Sequence, residues 1–565
     1  MPDSDYVPLM FQAQVQGRSL IHQVKDLKKE AERLAVRKET LRQQAYDWAE
    51  QWQESCDVDT VPNFGNDVRK SKEYIFTWRM VTNSGQDEGV IRPVIGERGW
   101  AYFPGSSMKG AFLRACRQLH PDRVNRYCGG SAQEGEVHPG ILRFHGGYPK
   151  DGAWLKNSMV DIVHPQANWQ VSGSKLSHET PKVLISLHQP TFVFGISSTE
   201  PVLESEWTEI WKIWEKALER GIGSRVSAGY GQVKTHGESK LISVGLSGQG
   251  IASRRLDLEG EFRPNGFKAA LRGHTHRLFH GITDHKTVNH LIKQLWGGIG
   301  KGESATVGLL GVAFSAPELE LDEWVAAGNP NNHVPVYETG DAILNVLVMK
   351  DGLRQEQRDE LKNFVIRLVK FSMLLGGFGR SWRRSDHRLF LPRYKRQMIG
   401  CHWTFTKPSR KLYIPVSDDK LVSITRFLDL FYQKAQEFSW LNEIENRKTP
   451  DHSCREAWCK DNVQVWGRIA DGEEDSIAIK WLHQDYKRGS SIKQSELTGS
   501  MKQIGRLWHR MYPRYLKRGE EWIETQEYIE LLTIFPNRSG DKDEIQKTAN
   551  FLKFLQDFTD FKQLW

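Results

Sequence analysis

The stretch FPGSSMKGAFLR at residues 103–114 decides the fold. Pro104 and Gly105 stop a preceding strand, and Ser106 or Ser107 is placed to cap a helix that begins near Met108. Ala111, Phe112 and Leu113 give that helix an apolar side, while Lys109 and Arg114 stay polar. A turn, amides, a lysine and a helix N-terminus at one spot suit an anion such as phosphate. The same residues equally suit an ordinary strand-to-helix connection with a good cap.

Three further stretches give it weight. Residues 221–231 read GIGSRVSAGYG, four glycines with one arginine and one aromatic. Glycines at Gly221 and Gly223 let main chain approach another backbone closely, Arg225 adds charge, and Tyr230 is an aromatic for stacking on a base. Residues 262–272 read FRPNGFKAALR and repeat the first stretch in order: aromatic, proline, glycine, lysine, alanine, leucine, arginine. About a hundred residues later comes GGFGRSWRR at 376–384, again glycines followed by arginines. A helix start followed by a glycine–arginine loop thus occurs twice, which points to duplicated domains.

PGSSMKG followed far downstream by GIGSRVSAGYGQV resembles the RAMP superfamily of CRISPR-associated proteins, most closely the Cmr-type subunits of type III effector complexes or relatives in which such subunits are fused. In the Cmr-type subunit that closes the head of the backbone, a D-x-x-x-P box follows the first helix, and here residues 161–165 read DIVHP. The resemblance covers residues 74–233 well and 241–390 less well. It implies an α+β chain of two tandem ferredoxin-like, RNA-recognition-type modules with a long N-terminal helix and insertions. The expected units are residues 1–66 (helix and linker), 67–238 and 239–400 (the two modules), and 401–565 (an extension or the completion of the second module).

The resemblance also implies a function: binding guide RNA along its backbone, opposite complementary target RNA and beside other effector subunits, in antiviral defence. Two copies of the motif pair would grip two adjacent RNA segments. Phosphate contacts are expected from Ser106, Ser107, Lys109 and Arg114, from Gly221, Gly223 and Arg225, from Lys268 and Arg272, and from Gly377, Gly379, Arg380, Arg383 and Arg384. Backbone contacts carry no base information, so specificity would come from base pairing. In the family's catalytic subunits an aspartate before PGSS cuts the target. The matching position here is Ile91, which binds no metal, so the resemblance implies binding rather than cleavage. Asp87 lies nearby but out of register, and Asp257 is nearest that position in the second module, where Arg254 and Arg255 offer it ordinary ion pairs. A metal-dependent endoribonuclease using these aspartates, and a protein-only scaffold, are the rival readings.

Composition agrees with these bounds. The chain has 565 residues, enough for about three domains, and a formal charge of +8, which permits nucleic-acid binding. No apolar run approaches a membrane span and no signal peptide is visible. Six scattered cysteines make no disulfide framework, so a reducing cytoplasmic setting is expected. No cofactor or metal site is read. Cys128, His138, His145, His164 and His178 lack paired short spacings, and His452, Cys454 and Cys459 make a poor zinc signature. WGGIGKGES at 296–304 fails as a P-loop, since Leu295 stands where the first glycine belongs and Gly302 follows the lysine.

Residues 19–54 carry a heptad-like apolar stripe including Leu20, Leu27, Leu34, Leu41, Trp48 and Trp52, which fits a helix packed on its own domain or on a neighbouring subunit. Residues 316–335 read as an acidic, loop-rich insertion. VQVWGRIA and SIAIKWLH are expected to pair as a hairpin about residues 471–472.

Overall fold

The computed structural model describes residues 38–565 apart from 65–69, 83–84, 88–89, 132–136, 164–181, 256–258, 299–305, 326–332, 379–382, 385–401, 447, 451–453, 500–504 and 538–540. The chain is α+β, with helices laid over largely antiparallel sheets.

A first core forms around the strand Thr191–Ser198, flanked antiparallel by Lys70–Ile75 and Leu142–Pro149. Alternation puts Phe192, Phe194 and Ile196 on one face, all fully buried. Helix α1 (Lys38–Ser55) sends Ala45, Trp48, Ala49 and Trp52 into this core, and the Trp52 indole donates to the Gly99 carbonyl at 2.6 Å. That part of the expected helix therefore packs on its own chain, while residues 19–37 lie outside the described residues. Helix α2 (Gly105–Leu119) buries Met108, Ala111, Phe112, Ala115 and Cys116. Helix α3 (Glu204–Leu218) buries Trp207, Ile210, Trp211 and Trp214, so these tryptophans are core. After the glycine loop Val233 bridges Phe76, returning the chain to the free side of Lys70–Ile75. The expected strand at 74–81 is two short pieces, because residues 76–78 turn between Lys70–Ile75 and Arg79–Met80.

The second sheet runs Leu310–Ser315, His333–Val348, Lys240–Ile251, His402–Phe405. Its chain order is strand, helix α4 (Asn265–His280) followed by a second helix (His285–Trp296), three strands, helix α5 (Gln355–Phe371), strand. The acidic residues 316–335 are not a loop-rich insertion where described: Leu319–Val325 pairs residue for residue with His333–Thr339, extending the sheet as a hairpin. The C-terminal third joins the same buried cluster through Tyr413, Val416, Leu428, Phe431, Tyr512, Ile529 and Trp565.

A third sheet contains Leu507–Arg518, Glu521–Ile534 and Gln464–Ala470. The expected hairpin at 471–472 does not form. Gln464–Ala470 pairs with Glu521–Ile534, and Ala478–His483 is a short helix. The buried Glu530 carboxylate takes the amides of Ile477 and Ala478, so that helix start is satisfied by a side chain from the strand beneath it.

Candidate nucleic-acid interface

The first motif begins one turn earlier than expected. Helix α2 starts at Gly105 with Pro104 as its N-cap and no side-chain cap, so Ser106 and Ser107 sit inside the first turn and cap nothing. The Gly105 amide donates to the Tyr102 hydroxyl at 3.2 Å, which donates in turn to the His145 carbonyl at 2.9 Å. A Cβ on Gly105 would fall 2.0 Å from the Phe144 carbonyl oxygen, so this glycine serves a close helix–strand approach. Ser106, Ser107, Lys109 and Arg114 are all exposed around the helix start.

The glycine loop does not stand open beside that helix. It is stitched to the first core: the Ser224 amide donates to Val81 O at 2.9 Å, the Gly231 amide to Arg79 O at 2.8 Å, and the Ile222 amide to Gly231 O at 3.0 Å. Gly223 (φ +87°) and Gly231 (φ +59°) sit where a Cβ would strike the carbonyls of Val81 and Ile222. Gln232 braces the loop from within, donating to Val226 O at 2.7 Å and Arg220 O at 3.1 Å. Arg225 holds a left-handed backbone at φ +60° without being glycine.

The outer side of the loop faces the second motif. Lys268, in the first turn of α4, donates its ammonium to the Ser227 hydroxyl at 2.7 Å. Gly229 lies against Pro264 and the Val312 carbonyl, and Gly311 lies under Ser227. The glycine loop of the first repeat and the helix start of the second, expected to belong to separate grips, form one place. Part-burial and the guanidiniums of Arg272 and Arg225 push the Lys268 pKa down to about 8. Three cations from two repeats thus crowd one spot.

Beneath it lies a buried ion network that sequence reasoning missed. Arg79, 1 % exposed, donates from Nε to Glu261 Oε1 at 2.5 Å and from Nη1 to Ser158 O and Ser186 Oγ, both at 3.0 Å. Arg263 Nη2 lies 2.8 Å from Asp161 Oδ1 and 3.4 Å from Glu261 Oε2, and Arg263 Nη1 donates to the Ile162 carbonyl. Burial opposes the charge on Arg79, but Glu261 and Asp161 overcome it and raise its pKa. The signal was present as Arg263–Pro264 at the head of FRPNGFKAALR and as the Asp161 box, yet pairing them needs the fold.

Tyr230 belongs to this network, which corrects its expected role. Its ring is 1 % exposed against Trp78, with centroids 4.5 Å apart, and its hydroxyl donates to Asp161 Oδ2 at 2.6 Å. Burial first, then the Asp161 charge, raises its pKa well above the usual value. A ring so enclosed cannot stack on a base.

Ile91 is buried in the strand Val90–Arg92, which pairs in parallel with Lys182–Ile185. Asp87 ends the neighbouring strand Gly85–Asp87, opposite Val90. Asp257, Gly379 and Arg380 lie outside the described residues. Gly377 takes φ +60° after helix α5, and Phe378 packs on Phe267 of α4 at 4.9 Å between ring centroids, so this loop start faces the core. Arg383–Arg384 is a two-residue strand parallel to Leu507–Arg518. Among the described residues no group of three His, Cys, Asp or Glu side chains is arranged to hold a metal ion, and no helix is long and apolar enough to cross a membrane.

Ser476, His509 and Glu530 lie together but are not a nucleophilic triad. Both Ser476 Oγ and Glu530 Oε1 address the same ring nitrogen, His509 Nε2, at 3.2 and 3.0 Å, whereas a relay needs them on opposite nitrogens. Ser476 also donates directly to the Glu530 carboxylate.

No family model matches the chain, and no curated protein matches it. Among solved structures, a chain of the type III-B Cmr-beta complex bound to cognate target RNA aligns at a TM-score of 0.29 and 8% identity, over 55% of this chain and 98% of that one. A chain from the same complex with target RNA and AMPPnP, in the presence of ssDNA, aligns at 0.29 and 10%, over 56% and 99%. At that TM-score the alignments carry no argument, and the chemistry rests on the residues.

Proposed function

We propose that this chain is a guide-RNA-binding subunit of a type III CRISPR effector complex, built from two tandem ferredoxin-like RAMP modules at about residues 67–238 and 239–400. Complementary target RNA and neighbouring effector subunits are its further partners. The observation that carries the reading is the meeting of Arg225, Lys268 and Arg272 where the first glycine loop touches the second helix start. Among the described residues the charged groups acting on Lys268 are the guanidiniums of Arg272 and Arg225, and a polyanion suits such a basic spot. Motif order and strand order support the modules: in both sheets the first strand lies between the third strand and the returning chain. In this reading the two repeats would share one grip on the phosphate backbone, where the sequence suggested two separate ones. Cleavage is no part of the proposal, since Ile91 is a core residue.

The test is the affinity of the full chain for single-stranded RNA across a salt series. Arg225→Ala and Arg272→Ala together should weaken binding and lower the salt slope by about 0.7 per lost phosphate contact. RNA that binds the double variant with unchanged affinity and slope rejects this site.

A further inference from the structure

The C-terminal helix carries its apolar stripe one turn farther than the protein buries it. In Lys542–Phe558 the residues Phe551, Phe554 and Phe558 stand three and four apart and so share one face. Phe551 is fully buried, Phe554 is half-buried and Phe558 is 66 % exposed. Their rings form a ladder out of the core. Phe551 and Phe554 stack at 6.3 Å between centroids, and Phe554 and Phe558 at 6.2 Å with 17° between planes. Tyr486 at 4.8 Å and Trp481 at 5.2 Å hold the middle ring. We propose that this ladder is a second RNA contact, made of residues other than those of the shared grip: an unpaired base of single-stranded RNA stacks on Phe558, and its flanking phosphates lie on Lys487 and Arg488. The proposal rests on the reading of the chain as an RNA-binding subunit.

A tight turn brings the cations to the ring. The Tyr486 amide donates to Ser490 O at 3.0 Å and the Ser490 amide to Lys487 O at 2.7 Å. Gly489 takes φ +73°, and its amide donates to Asp485 Oδ2 at 3.2 Å. Lys487 and Arg488 are exposed at the tip, and Lys487 Nζ lies 5.2 Å from the Phe558 ring centroid. Among the described residues neither cation has a carboxylate partner. The nearby carboxylates are engaged or lie off this face. Asp485 holds the turn, Asp560 lies 3.6 Å from Arg468 Nη1, and Asp557 stands about 100° around the helix from Phe558.

Charge and size choose the occupant. From residue 431 onward, Phe558 is the one strongly exposed large apolar side chain among the described residues. A protein partner needs a contiguous apolar patch with a core depleted of charge, whereas a base needs one open ring with a cation beside it. Tyr230, at 1 % exposed, offers no such ring, and Phe558 does. Every base has a π-face, so this contact tolerates any sequence.

The experiment measures the affinity of the full chain for a fluorescent oligouridylate across a salt series. The same oligomer carrying 4-thiouridine is cross-linked, and the contacts are mapped after trypsin digestion. The wild type should cross-link within peptide 554–562. Phe558→Ala should lose about fivefold or more in affinity together with that cross-link, and Phe558→Trp should keep both. Phe558→Leu, the second variant, retains the apolar bulk without the π-face and should behave as Phe558→Ala. Lys487→Ala with Arg488→Ala should lower the salt slope by about 1.4, for two lost phosphate contacts. Wild-type affinity and cross-linking in Phe558→Ala, or full affinity in Phe558→Leu, overturns the stacking site and leaves the shared grip standing. A loss in Phe558→Ala with none in the Arg225→Ala, Arg272→Ala double variant overturns the grip and upholds the stacking site. No RNA binding by the wild type overturns both.

Discussion

Replacing Glu261 by glutamine tests the buried junction at its most connected point. Glu261 is 4 % exposed and takes Arg79 on one oxygen at 2.5 Å and Arg263 on the other at 3.4 Å. With Asp161 it makes two carboxylates against two guanidiniums, a balanced set. The substitution leaves Arg79 and Arg263 with one carboxylate between them, which is a net positive charge in a region closed to water. Breaking a buried pair from one side costs about 3–5 kcal/mol, because the remaining charge stays buried. Urea unfolding followed by tryptophan fluorescence reads this directly, since Trp78 lies against Tyr230 within the network. Arg79→Met combined with Glu261→Leu should recover most of the loss, as an apolar pair needs no counter-charge. A Glu261→Gln transition within about 0.5 kcal/mol of wild type, or a double variant no more stable than the single one, refutes the assignment of the junction to buried charge.

Two other substitutions separate structure from recognition. Tyr230→Phe removes one donor to the buried Asp161 carboxylate and should cost about 1.5–3 kcal/mol in the same unfolding measurement, with RNA affinity unchanged; a selective loss of RNA affinity would restore Tyr230 as a stacking residue. Burial pushes the Glu530 carboxyl up, but His509, Ser476 and Arg468 overcome it and hold the group at about 2, below its ordinary 4.5. A depressed carboxylate contributes stability that is full above its unfolded pKa and is lost as pH falls through the folded one. The third sheet should therefore weaken between about pH 4.5 and pH 2 in thermal melts, and Glu530→Gln, already weakened at neutral pH, should remove most of that dependence.

Local chemistry made much of the architecture legible. The stripe Trp207, Ile210, Trp211, Trp214 announces a half-buried helix whatever it packs on, and the alternation in Thr191–Ser198 announces a strand. The repeat of FPGSSMKGAFLR as FRPNGFKAALR located both early helices. What failed was partner choice. SIAIKWLH has strand-like composition, but Glu530 waits beneath it as a ready N-terminal acceptor, and the helix wins. The acidic run near residue 320 resembles a solvated loop until the pairing of Leu321 with Tyr337 anchors it. Tyr230 was misread for the same reason: an aromatic between two glycines looks exposed, and its acceptor lies 69 residues away in sequence.

The same long-range pairing explains how three cations are held together at all. The glycine loop hangs on Arg79 and Val81 by main-chain hydrogen bonds from Gly231 and Ser224. The side chain of Arg79 is clamped by Glu261, four residues before helix α4 begins at Asn265. That helix carries Lys268, and Lys268 closes the circuit on Ser227 of the loop. Each link is short and most are buried, so the loop cannot move away from helix α4 without breaking the main-chain hydrogen bonds from Gly231 and Ser224 or the Lys268–Ser227 contact.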